Sequence, residues 1–205
     1  TLLLVEENMF GSGIANYRKQ TSKQYVSSVF QGMYKKEIFD KIGLLDEKVG
    51  RVEDNELHYR IRKNGYKIRY SNDILSYQYT RPTVNRMLKQ KYSNGYWIGK
   101  VSHVYLKAFS IFHFVPFVFV LGIVFSLLML SLTKLFAVLL AVAYGLFTIL
   151  VTLMIIINNK FNVTMLLIPI LLFLVHFSYG VGTLVGLVKG FKWKKEYYNL
   201  GGDDE

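Results

Sequence analysis

The chain has 205 residues, and 25 basic against 14 acidic residues give it a formal net charge of +11. The charge is uneven, because residues 1–107 carry 19 basic and 10 acidic side chains whereas residues 108–188 carry only Lys134 and Lys160. A soluble domain needs polar surface throughout, so a stretch with so little charge excludes one and predicts a membrane protein with a polar first half. Cysteine is absent, which excludes disulfides, thiolate zinc sites, iron–sulfur ligation and a cysteine nucleophile.

The polar half alternates segments with strand and helix patterns. Residues 54–64 have the clearest helix pattern, with an acidic first turn, a basic last turn that matches the helix dipole, and Gly65 as the expected end. Leu57 and Ile61 share one face of this helix. The other predicted elements are short strands at 25–30, 67–70 and 74–79, a short helix at 35–41 that Gly43 ends, a turn at 44–47, and a helix at 82–100 at the membrane interface.

Three apolar stretches follow the polar half, at about 108–132, 135–157 and 163–188. Each is long enough to cross the roughly 30 Å of a bilayer core. Short connections join them, which predicts that neighbouring stretches run antiparallel. Small residues at positions 178, 182 and 186 would let another helix approach the last stretch closely, although such residues are also ordinary in membrane helices.

The basic residues on the two sides of these stretches predict conflicting topologies. Four lysines between residues 89 and 107 favour a cytoplasmic polar half, whereas three crossings would export the equally basic segment 189–195. Either one stretch is interfacial or re-entrant, or the tail is exported despite its charge. Pro116 and His113 make the start of the first stretch the best candidate for an interfacial segment.

The sharpest local feature of the polar half is the acidic pair Glu53-Asp54 at the start of a predicted helix. Backbone N–H groups and the positive end of the helix dipole can hold a carboxylate there as an anion. Such an anion could accept a proton from a sugar hydroxyl. The spacing alone favours the simpler interpretation, in which Asp54 only caps the helix.

Three segments carry a more specific signal, namely GMYKKEIFDKIGLLDE at 32–47, VEDNELHYRIRKNGYKI at 52–68 and KQKYSNGYW at 89–97. Their order and spacing resemble the C-terminal half of family 2 glycosyltransferases, in particular the membrane-anchored subgroup of the succinoglycan-biosynthesis type. The resemblance implies an α/β fold in which residues 1–107 are the C-terminal part of a GT-A (nucleotide-diphospho-sugar transferase) domain with an interfacial helix. About three transmembrane helices in 108–188 and a basic, then acidic, tail at 189–205 would follow.

The resemblance also implies an activity and a set of site residues. Members of this family transfer a sugar from a nucleotide-sugar donor with inversion at the anomeric carbon. Asp54 matches the position of the catalytic base, and Glu53 would help to hold the loop or the acceptor. The family's Q-x-x-R-W element is only partly present, because the Arg is absent and the spacing is longer. The implied substrate-binding residues are Gly32 under the acceptor pocket, Arg18 in a loop on the acceptor side, and Arg81, Gln90, Lys91, Tyr92 and Trp97.

A divalent metal, Mg²⁺ or Mn²⁺, is expected for the full-length enzyme because the resemblance implies a D-x-D element that holds the donor diphosphate. No D-x-D occurs in these 205 residues, so we expect the metal ligands and the donor-binding half to precede this chain and the fragment alone to be inactive. An alternative is a truncated, non-catalytic membrane module that binds lipid, acceptor or a partner subunit.

The expected partners are membrane lipid, a nucleotide-sugar donor and a lipid-linked or polysaccharide acceptor. No nucleic-acid motif accompanies the basic charge, and lysines next to a membrane are explained by anionic lipids, so nucleic acid is not expected. The expected location is a bacterial plasma membrane, crossed several times, with the catalytic part in the cytoplasm.

Overall fold

A computed structural model of the chain describes residues 1–11, 24–29, 31–74 and 79–199. This part of the chain forms α-helices, short 3₁₀ turns and one pair of strands. The helices are α1 (Leu2–Glu7), α2 (Lys36–Ile42), α3 (Glu53–Lys63), α4 (Val84–Tyr105), α5 (Val115–Leu128), α6 (Leu135–Asn158) and α7 (Ile168–Asn199), and the strands are β1 (Tyr25–Val26) and β2 (Ile68–Arg69).

The prediction of an α/β fold with part of a GT-A domain is wrong for the described residues. Strands β1 and β2 pair antiparallel over two residues each, with Tyr25 opposite Arg69 and Val26 opposite Ile68. This pair is the whole sheet in the part of the chain that the structure describes. A parallel sheet needs several strands covered by helices on both faces, whereas so short a pair depends on the packing of its neighbours. The described chain is therefore mainly helical.

A small apolar core holds the polar half together. Leu57 and Ile61 of α3 and Ile68 of β2 are buried in it, and residues of α2 and the preceding loop pack against them. The prediction that Leu57 and Ile61 share a buried face is confirmed. Both predicted helix ends are also confirmed, because Gly43 and Gly65 have φ angles of 80° and 81°, which glycine adopts without strain.

Helix α4 packs closely and in parallel against α7. A Cβ atom added to Gly99 of α4 would lie 2.9 Å from the backbone nitrogen of Leu187, and one added to Gly186 of α7 would lie 3.0 Å from that of Lys100. Gly95 and Gly182 make equivalent contacts with the backbone of the facing helix. The small residues that the sequence singled out in α7 therefore do admit a neighbouring helix, and glycines four residues apart in α4 complete the contact.

Three helical segments are long and apolar enough to cross a membrane, as the sequence predicted: Ile111–Ser131, Leu135–Asn158 and Val163–Asn199. The first two form a hairpin, in which the rings of Phe125 and Phe136 lie 5.1 Å apart. Most of the large apolar side chains of α5 and α6 are exposed, as expected for a surface that meets lipid. The third segment continues as one helix through the predicted tail as far as Asn199, and residues 200–205 lie outside the described residues.

Candidate active site

The acidic pair lies where a strained loop turns into α3. Val52 precedes the helix with a φ angle of 67°, in the left-handed region that a β-branched residue rarely adopts. Its carbonyl oxygen accepts hydrogen bonds from the backbone of Asn55 and Glu56, at 3.0 and 3.2 Å. No side chain caps this helix, so the interpretation of Asp54 as the N-cap is wrong. Glu53 and Asp54 instead occupy the first two helical positions.

Asp54 is half-buried, and burial raises the pKa of its carboxyl group above 3.8, with a further contribution from the charge of Glu53. The direction is opposite to the lowering that the helix dipole alone would cause. A carboxylate with a raised pKa is a stronger base than an ordinary aspartate. The raised pKa therefore makes this side chain more basic than an ordinary aspartate, which favours proton abstraction.

A buried hydrogen-bonded chain runs beside Asp54. His58, one helical turn further along α3, is 1% exposed. Its Nε2 atom lies 2.7 Å from the hydroxyl of Tyr34, and its Nδ1 atom lies 2.9 Å from Oγ of Ser28. Burial, with a smaller effect of the Arg62 charge, lowers the pKa of His58 to about 4, so the ring is neutral at physiological pH. A neutral ring can accept from one of these hydroxyls and donate to the other.

Tyr34, at one end of this chain, is close enough to Asp54 for its pKa to respond to the Asp54 charge. Burial raises the pKa of Tyr34 to about 12, and the charge of Asp54 adds to the effect, so the phenol keeps its proton. A Cβ atom at Gly32 would lie 2.7 Å from the Tyr34 hydroxyl oxygen, so only glycine leaves room for that hydroxyl. The structure thus packs Tyr34 against the sequence-predicted residue Gly32, within reach of the charge of Asp54.

Helix α4 borders the loop that leads into the acidic pair. The indole of Trp97 packs on Gly50, where an added Cβ atom would lie 2.6 Å from the ring. Arg51 Nε donates a hydrogen bond to Asn94 Oδ1 over 2.6 Å. Trp97, predicted from the partial Q-x-x-R-W element, therefore lies against the segment that precedes Glu53.

The remaining predicted residues of α4 lie elsewhere. Lys91 is buried, with Nζ 3.3 Å from Oε1 of Glu6, so its ammonium joins α4 to α1. Gln90 accepts a hydrogen bond from Arg81 Nε over 3.1 Å on the exposed start of the helix. Tyr92 is partly exposed and stacks on the ring of Tyr96. The predicted residue Arg18 lies outside the described residues.

Two other charged residues of α3, Glu56 and Arg60, hold the fold together. Glu56 is fully buried and paired with Arg60. Arg60 also donates to the carbonyl oxygen of Ile42 and, over 2.7 Å, to that of Leu44. This guanidinium therefore fastens the loop after α2 to α3. The four-residue spacing of Glu56 and Arg60 is the sequence signal for this ion pair.

Among the described residues, no three His, Asp or Glu side chains come together in a way that could hold a metal ion. Glu53 and Asp54 are adjacent carboxylates, and a hard cation such as Mg²⁺ needs more oxygen ligands than such a pair supplies. The geometry of this part of the chain thus offers a base and a neighbouring hydrogen-bonded chain, without a metal centre.

One curated protein gives a significant sequence similarity. It is the dolichyl N-acetyl-alpha-D-glucosaminyl phosphate 3-beta-D-2,3-diacetamido-2,3-dideoxy-beta-D-glucuronosyltransferase of the archaeon Methanococcus voltae, with 29% identity over 167 residues. The match covers 81% of this chain and 49% of that protein, so the chain spans about half the length of the relative. No protein-family model matches the chain, and no solved structure does. The similarity supports a relationship to a glycosyltransferase.

Proposed function

We propose that the chain is part of a membrane-bound glycosyltransferase that transfers a sugar from a nucleotide-sugar donor to a lipid-linked glycan. The observation that carries the proposal is a half-buried Asp54 with a raised pKa at the start of α3, in a chain related to a glycosyltransferase. Membership of family 2, in the succinoglycan-biosynthesis subgroup, rests on the three segments quoted above. The bacterial plasma membrane and the cytoplasmic orientation rest on that resemblance and on the lysines before the first apolar helix.

In the proposed reaction, Asp54 accepts the proton of an acceptor hydroxyl. The hydroxyl oxygen forms a bond to the anomeric carbon of the donor sugar, and the bond from that carbon to the diphosphate breaks. The nucleoside diphosphate leaves with the bonding electron pair, and attack from the opposite face inverts the configuration. Glu53 keeps the basicity of Asp54 high, and Tyr34, fixed by His58, is positioned to orient the acceptor.

A lipid-linked acceptor agrees with the helices that can enter a membrane and with the printed name of the relative, which specifies a dolichyl phosphate sugar. An acceptor that cannot leave the bilayer must be met at its surface. A divalent cation would neutralise the diphosphate of the donor, and we assign its ligands to none of the described residues.

The test compares Asp54→Asn with Asp40→Asn, which changes an exposed aspartate of α2. Membranes that contain the full-length protein, with the donor-binding half that we expect before this chain, are incubated with radiolabelled nucleotide-sugars and a lipid-linked acceptor, and the extracted lipid is counted. Loss of the base should reduce transfer by about 10²- to 10⁴-fold, whereas Asp40→Asn should leave it unchanged. Equal transfer by the Asp54 variant would remove Asp54 from the catalytic role. Binding of acceptor lipid without any transfer by the wild type would favour the non-catalytic membrane module.

A further inference from the structure

The third apolar segment contacts the polar half near both of its ends. Tyr197, in the last turns of α7, donates a hydrogen bond to Asp46 Oδ2 over 2.7 Å, and Lys48 Nζ donates to the carbonyl oxygen of Tyr197 over 3.1 Å. At the other end, the hydroxyl of Thr164 lies 2.5 Å from the hydroxyl of Thr1. Groups in contact lie on the same side of a membrane, so both ends of this segment belong with the polar half.

Helix α4 accompanies α7 between these two contacts and carries charges that lipid would not accept. Ser178 of α7 donates to the carbonyl oxygen of Leu88 over 2.9 Å, which places the start of α4 beside the middle of α7. Arg86 and Lys89, on either side of Leu88, are exposed. Each such charge in the centre of a bilayer costs about 2.5–3.5 kcal/mol. The segment of α7 that α4 covers is therefore poorly suited to crossing the membrane.

The apolar residues that α7 leaves exposed lie on one stripe. Ile170, Phe173, Phe177, Val188 and Phe191 are all exposed by more than a third. At 3.6 residues per turn their positions fall on one side of the helix, and the glycines on another side face α4. A helix with one apolar stripe and a polar partner on its other side suits the plane of the membrane interface.

Lysines and aromatic rings along the α4–α7 contact also suit the headgroup level. Lys100 of α4 lies over the rings of Trp97 and Trp193, 4.5 and 5.2 Å from their centroids, and Lys189 lies 5.9 Å from that of Tyr96. Aromatic rings concentrate at membrane interfaces, and lysines there are attracted by anionic lipid phosphates.

We propose that only the α5–α6 hairpin crosses the bilayer, and that α7 lies against the headgroups on the same side as the polar half. The two helical segments of the hairpin have 21 and 24 residues, and the single charge in 111–158 is Lys134 in their connection. Two crossings return the chain to its starting side, which removes the conflict between the basic residues before and after the apolar stretches. The non-crossing stretch is then the third one, rather than the start of the first.

Because the chain has no cysteine, single cysteines can report its topology directly. Four exposed positions are replaced one at a time: Asp40 in α2, Lys134 between α5 and α6, Lys160 between α6 and α7, and Lys192 near the end of α7. Each variant is labelled with a membrane-impermeant maleimide in sealed vesicles of one orientation. Labelling after detergent permeabilisation gives the full signal for each position.

The proposal predicts that cysteines at 40, 160 and 192 lie on one side of the membrane and that the cysteine at 134 lies on the other. In vesicles with the polar half outside, the first three react at once and the cysteine at 134 reacts only after permeabilisation. In vesicles of the opposite orientation, only the cysteine at 134 reacts before permeabilisation. Three crossings would place 134 and 192 together, opposite to 40 and 160. A crossing pair made of α6 and α7 would place only 160 opposite to the others. Either of these two patterns would overturn the proposal.

Discussion

Replacing Glu56 with glutamine should loosen α3 from the loop after α2. Glu56 is 0% exposed, and it accepts a hydrogen bond from Arg60 Nη2 over 2.8 Å as well as a second one from Nε. Breaking a buried ion pair by removing one partner costs about 3–5 kcal/mol, because the remaining charge stays buried without compensation. In Glu56→Gln, Arg60 would lose its charged partner and one acceptor oxygen, and would keep the carbonyl groups of Ile42 and Leu44 and the amide oxygen of the glutamine.

Hydrogen exchange measures this loss locally, because the exchange rate of a protected amide reports the free energy of opening. At 1.36 kcal/mol for each factor of ten, about 3–5 kcal/mol corresponds to exchange in α3 that is faster by roughly 10²- to 10⁴-fold. The measurement is made by mass spectrometry on the protein in lipid nanodiscs. Exchange in α5 and α6 should not change.

The chain offers a matched control in the exposed pair of Lys35 and Glu37, whose side chains are 82% and 64% exposed and whose Nζ and Oε1 atoms lie 3.7 Å apart. An exposed pair contributes about 0–1 kcal/mol, so Glu37→Gln should accelerate exchange by less than about a factor of five. If Glu56→Gln changed exchange in α3 no more than Glu37→Gln does, the buried pair would not be what holds the loop to α3.

Two further changes test the interior of the polar half and the helix contact. Because the pKa of His58 falls from 6.5 to about 4 on folding, its neutral ring favours the folded state above pH 6.5, and this stability is lost as the pH falls towards 4. Between pH 7.5 and 4.5 the opening free energy of α3 should fall by about 2.5 kcal/mol more in the wild type than in His58→Gln. If it fell equally in both, a group other than His58 would bind the proton that destabilises α3. Gly99→Leu should separate α4 from α7 at a cost of about 1–3 kcal/mol and speed tryptic cleavage of the end of α7. Gly145→Leu, where nothing lies within 4 Å of an added Cβ atom, should leave cleavage unchanged, and the same rate for both variants would refute the close contact.

The elements that the sequence predicted well are those whose ends are marked by local chemistry. The start and end of α3 lie within one residue of the predicted 54–64, because its charge pattern and Gly65 depend on nearby residues alone. The apolar helices were equally recognisable, since length and hydropathy decide them. The local sequence pattern did not predict the length of the strands, because strand pairing depends on a partner that is distant along the chain. The segments predicted at 25–30 and 67–70 pair over only two residues each.

The candidate site was predicted only in part for the same reason. Asp54 and Gly32 could be named from motifs, but only the fold brings Tyr34, whose hydroxyl fills the space beside Gly32, into contact with His58. Nothing in the sequence around His58 identifies its hydrogen-bond partners. Its two partners, Ser28 and Tyr34, lie 30 and 24 residues away along the chain, beyond any local pattern.

The close helix contact and the candidate base are joined by one continuous set of contacts. Glycines let the backbones of α4 and α7 come into contact, and this contact fixes the position of Trp97 on α4. Trp97 packs on Gly50, and Val52, two residues further, holds the left-handed turn from which α3 begins. A shift of α4 along α7 would therefore move the loop that carries the acidic pair. Since the α4–α7 pair is also the part that we place at the headgroups, its packing sets the distance between Asp54 and the bilayer surface, which suits the lipid-linked acceptor that we propose for this base.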